Sequence, residues 1–348
     1  MIGLLEYIML KSESQKIKVG LVQINSSFSN QSYLPYSVGI LQAYTQKHDI
    51  NRDRFSFLLP IYSRVPVRDA AEALSNADVV AFSTYVWNFK ISIEIAKLLK
   101  FYNPNVLIIF GGPQVPNSSE QFLRQHPFID LCCHGEGELV FVKILETLPI
   151  RKWEDIPSIS FLGQDGTFIS NPKAERIKEL STIPSPYLEG IFEPLMQANS
   201  SQQWIALWET NRGCPFSCTF CDWGSATQSK VYPFDLDRLY KEIEWFAQNK
   251  IGFVTCCDAN FGILPRDIDI ARKLIEVHQK YGYPEAISIQ NTKNATERSH
   301  LIQKILADAG LSRGATIAIQ TLNLSALKNI KRQNISLKSF KELQNKLT

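Results

Sequence analysis

Three closely spaced cysteines are the residues of this chain best equipped for chemistry. Cys214, Cys218 and Cys221 lie in the run TNRGCPFSCTFCDWG with C-x3-C-x2-C spacing. Thiolates are soft ligands suited to zinc or to iron–sulfur clusters. Three of them can hold three irons of a cubane and leave the fourth iron open. An open iron can bind a small molecule through an amine and a carboxylate. Phe220, beside the last cysteine, is placed to shield a cluster from solvent, which tunes its potential. The alternative is a zinc site that adds Cys256, Cys257 or a histidine to the three thiols, although zinc sites favour paired C-x2-C knuckles.

The other four cysteines, Cys132, Cys133, Cys256 and Cys257, stand in apolar runs and read as small packing residues. Seven cysteines in all, an odd count without a secretory signal, argue against a disulfide framework and for a cytoplasmic protein. Residues 1–16 are apolar, but Glu6 interrupts them and no basic n-region or cleavage site is present. They read as an N-terminal arm. No run approaches the ~20 apolar residues of a membrane span. The 348 residues are 45% hydrophobic and 20% charged, which predicts about two globular domains. With 37 basic and 34 acidic residues, the net charge of +3 gives no signal for a nucleic-acid surface.

The elements that must position the cysteines form two alternating series. In the first, strands are expected at 17–25, 55–62, 78–83, 106–110 and 129–133, with Pro60 suited only to a strand end or an edge. Helices are expected at 38–46, 69–75, around Ile91 to Leu99, at 120–124 and at 139–148. Five strands alternating with helices predict an α/β fold with a doubly wound parallel sheet, whose ligands sit at the carboxyl ends of the strands. Those ends carry Asn25–Ser27, Ser83–Tyr85, Gly111-Gly112-Pro113 and His134 to Glu138. Residues 151–203, with recurrent prolines and a hairpin around Gln164-Asp165-Gly166, read as a linker. The second series starts with a strand at 204–209 that runs into the cysteine loop. Further strands are expected at 251–257, 286–290 and 315–320. Helices are expected at 236–247, with Asp235 as N-cap, and at 268–280, 299–309, 325–329 and 336–347.

The cysteine loop, with its aromatic before the last cysteine, its preceding strand and the βα units after it, resembles the radical S-adenosylmethionine superfamily. The partial (β/α) barrel of that superfamily opens with such a loop. The first domain, with its Gly111-Gly112-Pro113 and Gly135-Glu136-Gly137-Glu138 turns, resembles the cobalamin-binding domain fused to many radical enzymes. The domain order is that of the cobalamin-dependent radical family, which includes methyltransferases. The resemblance implies an N-terminal Rossmann-like domain of cobalamin-binding type (17–150), a linker (151–203) and a radical core (204–348). The core has room for about four βα units where the family usually has six. The chain is therefore expected to be C-terminally truncated, with the missing segment possible from another chain.

The resemblance also implies roles. Cys214, Cys218 and Cys221 hold a [4Fe-4S] cluster that binds S-adenosylmethionine. One-electron cleavage then yields a 5′-deoxyadenosyl radical, and methylcobalamin supplies a methyl group to an unactivated carbon. The glycine-rich motif usual after the second barrel strand is absent; Asp258 and Asn260 occupy its place and are expected to accept hydrogen bonds from the cofactor amine. Gln290 with Asn291, and Gln320, are expected to bind ribose hydroxyls or the carboxylate. Glu209 is expected at the barrel mouth or in a solvated turn. Ser83, Thr84, Tyr85, Gly111, Gly112, Gly135 and Glu136 are expected to contact cobalamin. The loop NSSFSNQSY lacks the histidine of the D-x-H-x-x-G pattern, so cobalamin binds without a protein histidine. His134 is not placed as a cobalt ligand. The expected partners are a small-molecule or peptide substrate and a reductant such as flavodoxin or ferredoxin. Other radical chemistry without cobalamin, a non-catalytic cluster or cobalamin carrier, and a zinc-stabilised module are the rival readings.

Overall fold

The computed structural model describes residues 16–48, 54–221, 230–292, 297–312, 314, 318–334 and 341. The expected arm at 1–16 and the expected helix at 336–347 fall almost entirely outside them.

The run IKVGLVQIN forms β1 (Ile17–Asn25), buried along most of its length because both sheet faces are covered. After it come β2 (Gln31–Tyr33), α1 (Tyr36–His48), β3 (Phe55–Phe57), β4 (Ile61–Ser63), α2 (Val67–Ala73), β5 (Val79–Ser83) and α3 (Phe89–Tyr102). Then follow β6 (Leu107–Gly111), α4 (Glu120–Gln125), β7 (Leu131–Cys133), α5 (Glu138–Glu146), β8 (Ile159–Leu162) and β9 (Phe168–Ser170). The sheet order is β3-β1-β5-β6-β7-β8-β9, with β4 also beside β1. All pairs from β3 to β7 are parallel. Counting β3 and β4 as one broken strand, this is the flavodoxin-like order, with its switch point between β1 and β5.

Side-chain alternation builds both faces. Val19, Leu21, Leu107 and Ile109 enter one core cluster, and Val22, Ile24, Ile108 and Phe110 enter the other. Helices α1 and α5 pack together, as do α2 and α3.

Two expectations change here. The strand expected at 55–62 is split in two, because Pro60 has no N–H for the ladder; β4 resumes against β1 after a register shift. The hairpin expected in a linker instead extends the sheet, with β8 antiparallel to β7 and β9 antiparallel to β8. The contact pattern assigns 1–176 and 189–200, including α6 (Glu193–Ala198), to the first compact unit, and 177–188 and 201–348 to the second.

In the second unit β10 (Gln203–Trp208), β13 (Phe253–Cys256) and β14 (Ala286–Ser288) run parallel in that order. Between them lie the short antiparallel pair β11 (Asn211–Arg212) and β12 (Tyr232–Pro233), then α7 (Leu236–Gln248) and α8 (Asp267–Tyr281). The helices α9 (Glu297–Asp308) and α10 (Leu324–Asn329) follow. The architecture is thus α/β, with a Rossmann-like doubly wound sheet and a partial (β/α) barrel. Of the strand expected at 315–320, residues 315–317 lie outside the described residues, and 318–320 form no strand. Asp235 stands at the N-cap of α7, but its side chain makes no capping bond. Among the described residues no helix is long and apolar enough to cross a membrane.

One buried carboxylate on α7 anchors that helix to β10. Glu242, fully buried, accepts from Trp208 Nε1 at 2.7 Å and from Arg238 Nε at 2.9 Å. Arg238 also lies over the Phe234 ring at 4.2 Å. Removing the carboxylate would leave an uncompensated guanidinium and an indole N–H without an acceptor. Glu242→Ala is therefore expected to lower the unfolding free energy of this unit by about 3–5 kcal/mol, as measured by urea denaturation.

Candidate cluster and cofactor site

The site in the second unit starts from strand register. Trp208 pairs with Cys256 across β10 and β13, so the loops that leave these two strands emerge side by side. The β13 loop reads Cys257-Asp258-Ala259-Asn260-Phe261-Gly262. It is joined to the β10 loop at two points.

The first is Asp258, which is 1% exposed. Its Oδ1 accepts from the backbone N–H groups of Thr210 (2.8 Å) and Asn211 (3.2 Å). Its Oδ2 accepts from Asn211 Nδ2 at 2.8 Å and from the Thr210 hydroxyl. Arg266 Nη2 donates to the Thr210 carbonyl at 2.6 Å and Nη1 to the Phe234 carbonyl. Burial pushes the Asp258 carboxyl up to about 7, while its Thr210 and Asn211 donors pull the other way. Both Asp258 oxygens are therefore engaged by protein donors.

The second point is Asn260, also 1% exposed, whose Nδ2 donates to Cys214 Sγ at 3.2 Å. Its Oδ1 has no partner among the described residues. Gly213 shapes the entry to the cysteines. Its φ of +127° favours glycine, and a Cβ there would stand 2.3 Å from the Lys230 carbonyl oxygen. Cys214 and Cys218 are buried and Cys221 is half-buried, all as free thiols. The Cys221 N–H donates to the Cys218 carbonyl at 3.2 Å, which turns the loop. Among the described residues no three His, Cys, Asp or Glu side chains are grouped as one ion requires. A cubane spreads three thiolates over three irons. Three free thiols on one loop, one of them already receiving an amide N–H, fit a cubane's donor set.

A cavity of about 410 Å³ adjoins this loop. It is lined by Phe216 and Cys218 on one side and by Lys328, Lys331 and Arg332 on the other. The Thr219 N–H donates to the Ile330 carbonyl at 3.1 Å and ties the two sides together. Arg332 is 5% exposed; its Nε donates to Asn334 Oδ1, its Nη2 to the Ala318 carbonyl, and its Nη1 has no partner among the described residues. Arg332 and the two lysines make this side of the cavity cationic, a setting that favours an anion. No motif announced these three cations; the trace in the sequence was their clustering at the end of α10 and just beyond it.

Other expected residues are placed as follows. Gln290 is exposed, and its carbonyl accepts from the Phe261 N–H at 2.7 Å. Asn291 Oδ1 accepts from Gln303 Nε2. Gln320 is exposed outside any strand. Glu209 pairs with Arg212 at 3.0 Å, and Phe220 is 48% exposed rather than buried over the loop. Cys256 and Cys257 are held well above the usual thiol range by burial, as packing residues are. Burial also raises the Cys132 and Cys133 thiols.

In the first unit the ends of β1 and β5 meet at the switch point. Asn88 binds them together, donating from Nδ2 to the Ile24 and Ser83 carbonyls, each at 3.0 Å. It also accepts from the Tyr85 N–H at 2.7 Å. Ser83 Oγ lies 3.0 Å from Ser37 Oγ, which in turn donates to Gln23 Oε1 at 2.7 Å. Asn25 accepts from Trp87 Nε1 at 3.3 Å, and its buried Nδ2 has no partner among the described residues. Asn25 lies at a strand end already expected to carry ligands; Asn88 and Trp87 were not singled out beforehand, although an asparagine just before an apolar helical run is a helix-start signal.

Thr84 is fully buried and donates its hydroxyl to the Gly111 carbonyl at 2.8 Å. Gly112, with φ +95°, lets the chain approach Thr84; a Cβ would come within 2.6 Å of the Thr84 carbonyl oxygen. At Gly111 a Cβ would meet only ordinary contacts, and at Gly135 open space. Glu136 pairs with Arg176 at 3.2 Å. His134 Nε2 lies 2.8 Å from Ser160 Oγ.

The raised Asp258 carboxyl has a pH consequence. Its folded form holds a proton more tightly than its unfolded form, so its contribution to stability is full at acid pH and is lost as pH rises through about 7. Asn at this position cannot titrate. The stability of the parent relative to Asp258→Asn is expected to fall by a few kcal/mol between pH 4 and pH 8, measured by paired urea titrations; a constant difference refutes the raised value.

Comparisons with known proteins agree with this geometry. A model of the B12 binding domain matches residues 10–145. The chain is 39% identical over 316 residues to the cobalamin-dependent radical SAM methyltransferase TokK of Streptomyces tokunonensis, covering 90% of this chain and 46% of that protein. It is equally similar, over the same shares, to the 2-(S-pantetheinyl)-carbapenam-3-carboxylate methyltransferase of Streptantibioticus cattleyicolor. The chain thus spans about half the length of these curated relatives. The fold matches OxsB, a cobalamin-dependent S-adenosylmethionine radical enzyme, with a TM-score of 0.70 at 20% identity over 95% of this chain and 48% of that one. It also matches TsrM from Kitasatospora setae, a radical S-adenosylmethionine methyltransferase, with a TM-score of 0.70 at 16% identity over 96% and 65%. The chain belongs to the cobalamin-binding-domain radical S-adenosylmethionine superfamily.

Proposed function

We propose that this chain carries the cobalamin- and cluster-binding machinery of a radical S-adenosylmethionine methyltransferase, and that the reaction methylates an unactivated carbon. The observation that carries the reading is the trio of free thiols on the loop leaving β10, with the Asn260 amide on Cys214. A relative named for a carbapenam carboxylate supports a small-molecule substrate. Seven free thiols support a reducing cytoplasm, where a flavodoxin or ferredoxin is available as reductant.

When bound, the [4Fe-4S] cluster and S-adenosylmethionine supply one-electron cleavage of a carbon–sulfur bond, and cobalamin carries the methyl group. The chain's own residues do the rest. Cys214, Cys218 and Cys221 ligate three irons, and the burial of the first two limits water at the metal. Asp258 fixes the start of their loop through Thr210 and Asn211. The open Nη1 of Arg332, with Lys328 and Lys331, receives the cofactor carboxylate beside Cys218. In the first unit, the polar ends of β1 and β5 hold the corrinoid without a histidine ligand, through Asn25 and Ser83.

Anaerobic reconstitution with iron and sulfide tests the cluster. A cubane paramagnetic signal that shifts on adding S-adenosylmethionine, with 5′-deoxyadenosine formed under reduction, is the expected result. Alanine at any of the three cysteines abolishes the signal. Zinc uptake without iron defeats the reading. Hydroxocobalamin titration of the same chain tests the first unit.

Arg332→Met addresses the anion receptor separately. Losing one charge-assisted hydrogen bond is expected to weaken S-adenosylmethionine binding by roughly 10- to 100-fold, read from the concentration that shifts the cluster spectrum. The spectrum without cofactor stays as in the parent; unchanged affinity refutes the role.

A further inference from the structure

We infer that Asn260 sets the reduction potential of the cluster by donating a hydrogen bond to the sulfur of Cys214. The inference rests on the cluster reading above and goes beyond it, because it assigns Asn260 to the metal's electronics rather than to the amine of the cofactor.

The geometry is specific. Asn260 Nδ2 stands 3.2 Å from Cys214 Sγ, and both residues are 1% exposed. A ligating thiolate offers only lone pairs, so the amide must present its N–H2 end to it. Among the described residues the other end of the amide, Oδ1, has no partner, and this N–H···S bond is the side chain's one hydrogen bond. The backbone around it is held firmly. Two residues earlier, Asp258 fastens the β13 loop to Thr210 and Asn211. One residue later, the Phe261 N–H donates to the Gln290 carbonyl and its carbonyl accepts from the Thr292 N–H. An amide held between two such anchors has little freedom to leave the sulfur.

The physical effect follows from charge. Reduction adds one electron to the cluster, and part of that density falls on the thiolate sulfurs. An N–H dipole aimed at a sulfur stabilises the reduced form more than the oxidised form and raises the potential. Burial enlarges the effect, because no water competes for the sulfur. Asn260 is therefore a positioning and tuning residue: it touches a ligand, not the reacting atoms.

The test uses the anaerobically reconstituted chain in a redox titration monitored by electron paramagnetic resonance, with a low-potential chemical reductant. Asn260→Leu keeps the volume and removes the donor. Asn260→Asp replaces the donor with an acceptor. In both, the reduced-to-oxidised ratio at a fixed potential is expected to fall by about tenfold, which for a one-electron couple is a midpoint about 59 mV more negative. The Asp variant is expected to fall at least as far as the Leu variant.

A second readout covers variants that fail to load. Electron–nuclear double resonance of the reduced parent in H2O and D2O should show an exchangeable proton coupled to the cluster, and Asn260→Leu should lose it. An unchanged midpoint in loaded variants, or a parent cluster without that proton, overturns the inference while leaving the proposed function intact. A parent chain that assembles no cubane overturns both.

Discussion

The candidate site depends on one buried carboxylate. Asp258 lies at the end of β13, yet its oxygens belong to the loop of the neighbouring strand, where Thr210 and Asn211 supply two backbone and two side-chain donors. A carboxylate taken out of water is costly unless it is saturated with donors. Here the cost is met by ordering the segment that leads into Cys214. The same bonds define where β10 ends and the cysteine loop begins. Arg266 completes the arrangement by holding the Thr210 carbonyl, so cationic, anionic and neutral groups all grip the same two-residue turn.

This anchoring explains how a loop of three cysteines can serve a metal. Loops are mobile unless their backbone is held, and a cluster needs ligands pre-positioned within a fraction of an ångström. The parallel register of β10 and β13 brings two loop starts together. Asp258 locks the first turn, Gly213 lets the chain pass Lys230, and Thr219 ties the far side of the loop to Ile330. The Lys328–Arg332 segment is thereby held against Cys218, which is why the anion-receptive cavity adjoins the thiols.

The first unit follows a parallel logic with different chemistry. Its switch point lies between β1 and β5, and Asn88 bridges the two strand ends where the sheet alone would leave open carbonyls. Gly112 and Thr84 make the neighbouring turn tight enough for β5 and β6 to end in register. These residues shape the rim, where the buried Asn25 Nδ2 has no partner among the described residues.

Much of this was legible in the amino-acid order. The C-x3-C-x2-C spacing narrowed the metal chemistry to soft thiolate centres, because thiolate softness and separation along the chain are local properties. Alternating apolar runs determined the parallel α/β architecture, because burial on both faces demands continuous hydrophobic strands. Pro60 marked the break in its strand for an equally local reason. Only the tertiary structure decided that Asp258 binds Thr210 and Asn211, that Glu136 is paired with Arg176, that the 159–170 hairpin joins the sheet, and that Asn260 meets Cys214. The reason is common to all four. A polar side chain's partner is set by strand register and loop docking between residues tens of positions apart, and no spacing along the chain encodes which donor a given carboxylate or amide will find.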